Sequence, residues 1–238
     1  MADQHPYGIR IFADGADLEG ILQLSRDPVI SGFTTNPTLM RKSGVEDYAG
    51  FARKVLDNVT EHPISFEVLS DEFDEMGAQA RTIGSWGPNV YVKIPVTNTR
   101  GESAAPLIRE LSAEGLHLNV TAILSLDQVR TVADALEETT GAVVSVFAGR
   151  IADTGRDPVP IMTEAVEVLA PNPLLELLWA SPREILNVRQ AAAVGCHIIT
   201  VTHEMLGKLK GLGRGLEEVS LDTVRMFRDD AVSAGFLL

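Results

Sequence analysis

The feature that most constrains the fold of this chain is an alternation of eight short apolar runs with segments whose apolar residues recur at helical spacing. The runs cover 9–14, 28–34, 64–69, 90–97, 116–121, 142–147, 174–179 and 197–201, and they start roughly 20 to 35 residues apart. Several, above all 90–97, are continuously apolar and β-branched, as expected of strands buried on both faces. Helical spacing fills 16–25, 45–60, 71–85, 103–114, 126–139, 162–169, 183–193 and 204–209, and a last helix over 221–234 follows the break Gly211-Leu212-Gly213-Arg214-Gly215. Ser70 and Ser125 read as helix N-caps and Gly115 as a C-cap, while 148–156 reads as an irregular loop. Strand and helix in strict alternation imply a parallel sheet, and eight such units in 238 residues match an α/β fold closed as a (β/α)8 TIM barrel. An open doubly wound sheet is the alternative, but no G-x-G-x-x-G follows the first run and no P-loop is present. No linker or composition shift divides the series, so one barrel domain is expected over 1–238. The segment 216–238 forms a C-terminal helix with no strand to cover, which either packs on a neighbouring subunit or closes its own barrel.

Composition narrows the functional classes. The formal net charge of −13, with no basic cluster, argues against nucleic acid, whose phosphates are held by grouped Lys and Arg. An anionic small substrate would need a local cationic pocket inside this acidic shell. No apolar run approaches the ~20 residues that span a membrane, and the N-terminal Met1-Ala2-Asp3-Gln4 stretch has no signal-peptide pattern, so a cytoplasmic protein is expected. The single cysteine, Cys196, excludes an internal disulfide and any multi-thiolate metal site, and its apolar surroundings point to a buried structural thiol. His5, His62, His117, His197 and His203 have no ligand spacing, and no metal is expected.

One lysine, Lys93, sits inside the run Val90-Tyr91-Val92-Lys93-Ile94-Pro95-Val96-Thr97. A buried ammonium is costly unless it is paired or gives up its proton, and a neutral amine can attack a carbonyl to form a Schiff base. Pro95 leaves a second reading open, in which the lysine ends the strand and reaches solvent.

In a parallel barrel, polar residues at the C-terminal ends of the strands face a shared site. Those ends supply Asp14, Thr34, Asn36, Glu67, Lys93, Asn119, Thr121, Ser145, Arg150 and Ser181, and strand eight adds Thr200 and Thr202. Each has a structural reading when taken alone. Asp14 could cap a helix, Asn36-Pro37 could turn the chain, and Glu67 could pair with Lys93 or Arg150. Their coincidence at one barrel mouth favours a site.

The segments Thr34-Thr35-Asn36-Pro37, Val92-Lys93-Ile94-Pro95, Asn119-Val120-Thr121-Ala122 and Ser145-Val146-Phe147-Ala148-Gly149-Arg150-Ile151-Ala152-Asp153 resemble the transaldolase family, in the same order and over nearly the whole chain. The short length is similar to its small-subunit branch, which includes fructose-6-phosphate aldolase. The resemblance implies a class I Schiff-base enzyme with no metal and no cofactor, acting on sugar phosphates. Lys93 would form the iminium with a ketose phosphate of the fructose 6-phosphate or sedoheptulose 7-phosphate type. Asp14 would take the proton from the C4 hydroxyl, and Glu67 and Thr121 would position a water at the imine. Asn36 and Asn119 would hold the dihydroxyacetone hydroxyls, Thr34 and Ser145 would line the site, and Arg150 with Ser181 would bind the phosphate. Glu67 and Phe147 are transaldolase-like, where the free aldolase carries Gln and a water-holding Tyr. This favours transfer within the pentose phosphate type of carbohydrate metabolism over release.

The segment Leu178-Trp179-Ala180-Ser181-Pro182-Arg183 departs from the small branch, being shorter, with a bulky Trp179 close to the expected phosphate pocket. A free aldolase, a specialised enzyme acting on an unusual sugar phosphate, and a non-catalytic sugar-phosphate-binding barrel are the alternatives. The family resemblance also implies a homo-oligomer, a pentamer or decamer, with Val224, Phe227, Ala231, Val232, Phe236 and Leu237 as apolar contacts of the last helix.

Overall fold

In the computed structural model, which describes residues 5–236, the apolar runs become eight parallel strands. They are β1 (Arg10–Asp14), β2 (Ile30–Thr34), β3 (Ile64–Glu67), β4 (Val90–Pro95), β5 (Leu118–Ile123), β6 (Ala142–Val146), β7 (Leu175–Trp179) and β8 (Ile198–Thr202). Each strand pairs with the next in chain order, and β8 returns to β1 to close a barrel. The helices are α1 (Leu18–Leu24), α2 (Pro37–Lys42), α3 (Tyr48–Leu56), α4 (Phe73–Gly84), α5 (Ala105–Ala113), α6 (Leu126–Ala133), α7 (Ala148–Asp153), α8 (Val159–Leu169), α9 (Leu186–Ala193), α10 (His203–Leu209) and α11 (Leu216–Ser233). The N-terminal tetrapeptide and Leu237 lie outside the described residues.

Burial explains why the strands are apolar throughout. One core lies between the barrel and its helices, with Ile11, Phe33, Phe66, Ile94, Val120 and Leu177 among its fully buried members. A smaller one, built on Phe12, Val143, Leu178, Ala180 and Ile198, fills the barrel itself. Register then fixes the mouth. Asp14 pairs with Thr34, Glu67 with Lys93, Lys93 with Asn119, and Pro95 with Thr121.

The elements differ from the periodicity in several places. Two short helices are additional. Asn36 accepts from the Leu39 N–H at 2.9 Å and caps α2, where Pro37 occupies the first turn because a proline there loses no backbone bond. The segment expected to be a loop opens with α7, although its N-cap Phe147 makes no side-chain bond. Ser125 does cap α6, in a reciprocal capping box with Gln128, but α6 stops at Ala133 while the apolar spacing runs on through buried Leu136. Ser70 is not the cap of α4. Glu72 takes that position without a side-chain bond. Gly115 ends α5 with φ +83°, its N–H bonded to the Ser112 carbonyl, which is the left-handed geometry that favours glycine. α11 starts earlier than its periodicity suggests and has no buried residue.

Candidate active site

Lys93 lies on β4 and is only 7% exposed. Its Nζ donates to the Thr35 carbonyl at 3.1 Å and stands 3.3 Å from Glu67 Oε2. Thr35 is fixed by β3, since its N–H and its hydroxyl both donate to the Ser65 carbonyl. Glu67 ends β3, where the Tyr48 phenol donates to its backbone carbonyl at 2.8 Å. Burial pushes that phenol's pKa up, so Tyr48 remains a neutral donor. Glu67 also lines a neighbouring groove with Pro37, Pro95 and Thr97.

Asp14, at the end of β1, accepts from the Thr34 hydroxyl at 2.7 Å. The Thr34 oxygen lies 2.5 Å from that of Thr200 on β8. Burial raises the Asp14 carboxyl above the usual range, and Lys93, the Thr34 hydroxyl and His203 only partly offset it. The Phe12 ring lies below this trio. Gly32 leaves room for it, since a Cβ at that position would come within 2.6 Å of the ring.

The β5–β6 side carries a second hydroxyl–amide chain. Ser145 donates to Asn119 Oδ1 at 2.6 Å, and Asn119 Nδ2 donates to Ser65 at 2.9 Å. Asn119 is fully buried and sits beneath the site. Thr121 is different. Its buried hydroxyl has no protein partner. Just after it, the β5–β6 register shifts and Ala122 adopts φ +62°, a local irregularity of the bulge type that bends the strand end at the mouth.

One pocket gathers most of the residues singled out from the sequence. Asp14, Thr34, Asn36, Lys93, Thr121, Ser145, Phe147 and Ser181 line it, joined by Leu178, Ala180 and Thr200. Asn119 and Glu67 support it from below and from the side. Arg150 does not line it. Its guanidinium lies over the Phe147 ring, 5.3 Å from the centroid, on the exposed side. Ser181 adopts φ +56°, and α7 packs so closely on it that a Cβ on Gly149 would fall 1.5 Å from the Ser181 carbonyl oxygen. Arg183 donates from Nε to Asp153 at 3.0 Å, which fastens the loop after β7 to α7 and holds the Asp153 carboxyl low.

Trp179 is not in the pocket. Strand alternation turns Leu178 and Ala180 inward and Trp179 outward, where it is fully buried against the helix layer with its indole N–H unpartnered. Cys196 is the buried thiol expected. It donates to the Leu177 and Ile198 carbonyls at 3.1 and 3.3 Å, and burial pushes its pKa up to about 12. Three contributors escape sequence reasoning. Thr35 acts through a backbone carbonyl, which has no residue signature. Tyr48 reads as one more apolar helix position, and Ser65 as a polar interruption of a strand. Among the described residues no three His, Cys, Asp or Glu side chains converge to hold a metal ion.

The chain matches the model of the Transaldolase/Fructose-6-phosphate aldolase family over residues 11–237. It belongs to this family. The family is one of enzymes, and curated members include a protein named "Probable transaldolase" from Dehalococcoides mccartyi, 36% identical over 83% of this chain and 88% of the relative. "Probable transaldolase 2" of Listeria monocytogenes is 34% identical over 84% of this chain and 88% of its own. Among solved structures, a dihydrodipicolinate synthase from Rhodopseudomonas palustris shares the fold with a TM-score of 0.56 at 12% identity, over 82% of this chain and 70% of that one. Lys93, Asp14 and Thr121 line one pocket, and no helix among the described residues is long and apolar enough to cross a membrane.

Proposed function

We propose that this enzyme transfers a dihydroxyacetone unit from a ketose phosphate to an aldose phosphate through a Schiff base on Lys93. The observation that carries the reading is one pocket that brings together an almost fully buried amine, a carboxyl raised by burial, and an unpartnered hydroxyl. The Lys93 amine adds to the donor's ketone and loses water to form an iminium. Asp14 takes the proton of the C4 hydroxyl, the bond between the third and fourth carbons breaks, and its electron pair moves into the iminium to leave an enamine on Lys93. An aldose phosphate leaves. The enamine then adds to the acceptor aldehyde, and hydrolysis frees the lysine.

Thr121, with no protein partner of its own, and Glu67, 3.3 Å from Nζ, suit the holding of a water at the imine. Asn36 uses its Oδ1 for the α2 cap and keeps its amide N–H groups for a sugar hydroxyl. Thr34 and Ser145 line the dihydroxyacetone half, and Asn119 holds Ser145 and Ser65 in place beneath it. Ser181, which lines the pocket, and Arg150, which lies beside it on Phe147, receive the phosphate, since Gly149 next to Arg150 packs closely on the Ser181 loop. Phe147 carries the Arg150 guanidinium on its ring in place of a water-holding phenol, which favours transfer over release. The outward turn of Trp179 removes the steric reason to expect an unusual anion. A cytoplasmic setting accords with this substrate class.

The test is a borohydride trap with fructose 6-phosphate, read by intact mass and peptide mapping. A reduced three-carbon adduct on the Lys93 peptide, absent in Lys93→Ala, is expected. Failure to trap any adduct with either a six- or a seven-carbon ketose phosphate would overturn the Schiff-base reading. Free dihydroxyacetone formed without an acceptor would identify the aldolase alternative.

A further inference from the structure

We propose that Thr200 is a positioning residue for Asp14, acting through a one-way hydroxyl chain from β8 to β2 to β1. The inference rests on the reading of Asp14 as the base.

The direction of the chain follows from counting protons. An ionised Asp14 carboxylate can only accept, so the Thr34 hydroxyl, 2.7 Å away, gives it its single proton. Toward Thr200, at 2.5 Å, Thr34 can then only accept, which makes Thr200 the donor. Asp14 Oδ1 is thereby committed as an acceptor, and the other oxygen is left to take the substrate proton. The chain reverses only if Oδ1 itself becomes protonated.

The surroundings hold this chain in place. Thr34 and Thr200 are both buried, on the two strands that flank β1, so neither hydroxyl is readily served by bulk water. The Phe12 ring sits below, against Gly32. The charged or titratable groups acting on Asp14 are Lys93 from β4 and His203 at the start of α10, and neither contacts Thr200 by hydrogen bond. A donor behind Thr34 polarises its hydroxyl and strengthens the bond to the carboxylate. Losing that donor weakens support for the ionised form. Thr200 does this without touching the reacting atoms.

The experiment compares wild type, Thr200→Val, which keeps the shape, and Thr200→Ser, which keeps the hydroxyl. Two readouts are taken. One is the titration of the Asp14 carboxyl by infrared spectroscopy on isotope-labelled aspartate, assigned against Asp14→Asn. The other is the pH profile of transfer. In Thr200→Val the carboxyl midpoint and the acid limb of the rate should move up together, with kcat down by up to about tenfold, the upper end for one hydrogen bond between neutral groups. The donor KM should change less than about twofold, and Thr200→Ser should restore both readouts. An unmoved carboxyl midpoint, or a raised KM with kcat intact, would overturn the proposal and make Thr200 a plain wall of the pocket. If the midpoint moves with Thr200 while the wild-type rate ignores Asp14's titration, the hydroxyl chain stands and the assignment of Asp14 as base falls. Should Thr200→Val not fold, Thr200→Ala reads the same midpoint.

Discussion

Lys93 Nζ and Glu67 Oε2 stand 3.3 Å apart at directly paired positions of β4 and β3. The register therefore sets the two side chains next to each other. Their side chains are 9% and 18% exposed, so neither charge is well hydrated. Removing one partner strands the other in a poorly solvated site, which for fully buried pairs costs ~3–5 kcal/mol. With this residual exposure, Lys93→Met or Glu67→Gln alone should destabilise by about 1–3 kcal/mol, and the double variant should cost clearly less than the sum. Urea unfolding of the four proteins measures the coupling, and simple additivity would remove the ion pair as a source of stability.

The Asp14 carboxyl carries a pH signature of its own. Burial raises its pKa above the unfolded-chain value of about 3.9, so the folded state holds the proton more tightly than the unfolded one does. Stability from this group is therefore greatest below the unfolded value. It declines as pH rises through the folded value, and the full cost is present above it. Asp14→Asn removes the cost. At neutral pH the variant should melt higher than wild type, and the difference should shrink or vanish near pH ~3.5. The same variant should lose roughly 10²- to 10⁴-fold in rate, the range for removing a general base. Calorimetry at the two pH values checks the first outcome, and a gap that widens in acid would contradict the buried carboxyl.

Gly149 tests how the phosphate side is assembled. A methyl there would overlap the Ser181 carbonyl oxygen at 1.5 Å, and backbone cannot swing aside as a long side chain can. Gly149→Ala should therefore push α7 and the Ser181 loop apart and raise the KM for phosphorylated sugars, about tenfold for one weakened charge-assisted contact. Dihydroxyacetone, which has no phosphate, should be affected far less as a donor. Equal losses for both sugars would mean that the whole site, and not the anion subsite, had moved.

The barrel is legible in the amino-acid sequence because strands buried on both faces stay apolar along their length, and because the punctuation between them is regular. Lys93 stands out as the one lysine in these runs. Its partners do not, since Thr35 offers only a carbonyl and Tyr48 reads as a core aromatic. α2 is hidden by Asn36-Pro37, which marks a turn and the start of a helix equally well. α7 has six residues, too few for a period to register. The placement of Trp179 is readable in principle, since Leu178 and Ala180 must share the face opposite to it. Arg150 is where residue type says least about position. Its stacking on Phe147 leaves it beside the pocket, because a residue in the helix after a strand does not share the strand's inward face.

α11 raises a question about association that its own energetics address. It runs for 18 residues and buries none of them, with Leu216 87% and Phe227 63% exposed, and Phe236 just beyond it is 78% exposed. A lone helix of that length is marginal in water, and its stability normally comes from packing an apolar face. Val224, Phe227 and Ala231 recur at helical spacing and supply such a face. Apolar surface of this extent on one element marks an interaction site more often than free surface. A second copy of the chain is the expected cover, in keeping with the homo-oligomer that the family resemblance implies. Light scattering should find the wild type above monomer mass, and Val224→Asp with Phe227→Asp should reduce that mass while the barrel keeps its circular dichroism. A monomeric wild type would leave α11 without this partner, and an assembly unchanged by removal of the residues after Gly215 would place the interface elsewhere.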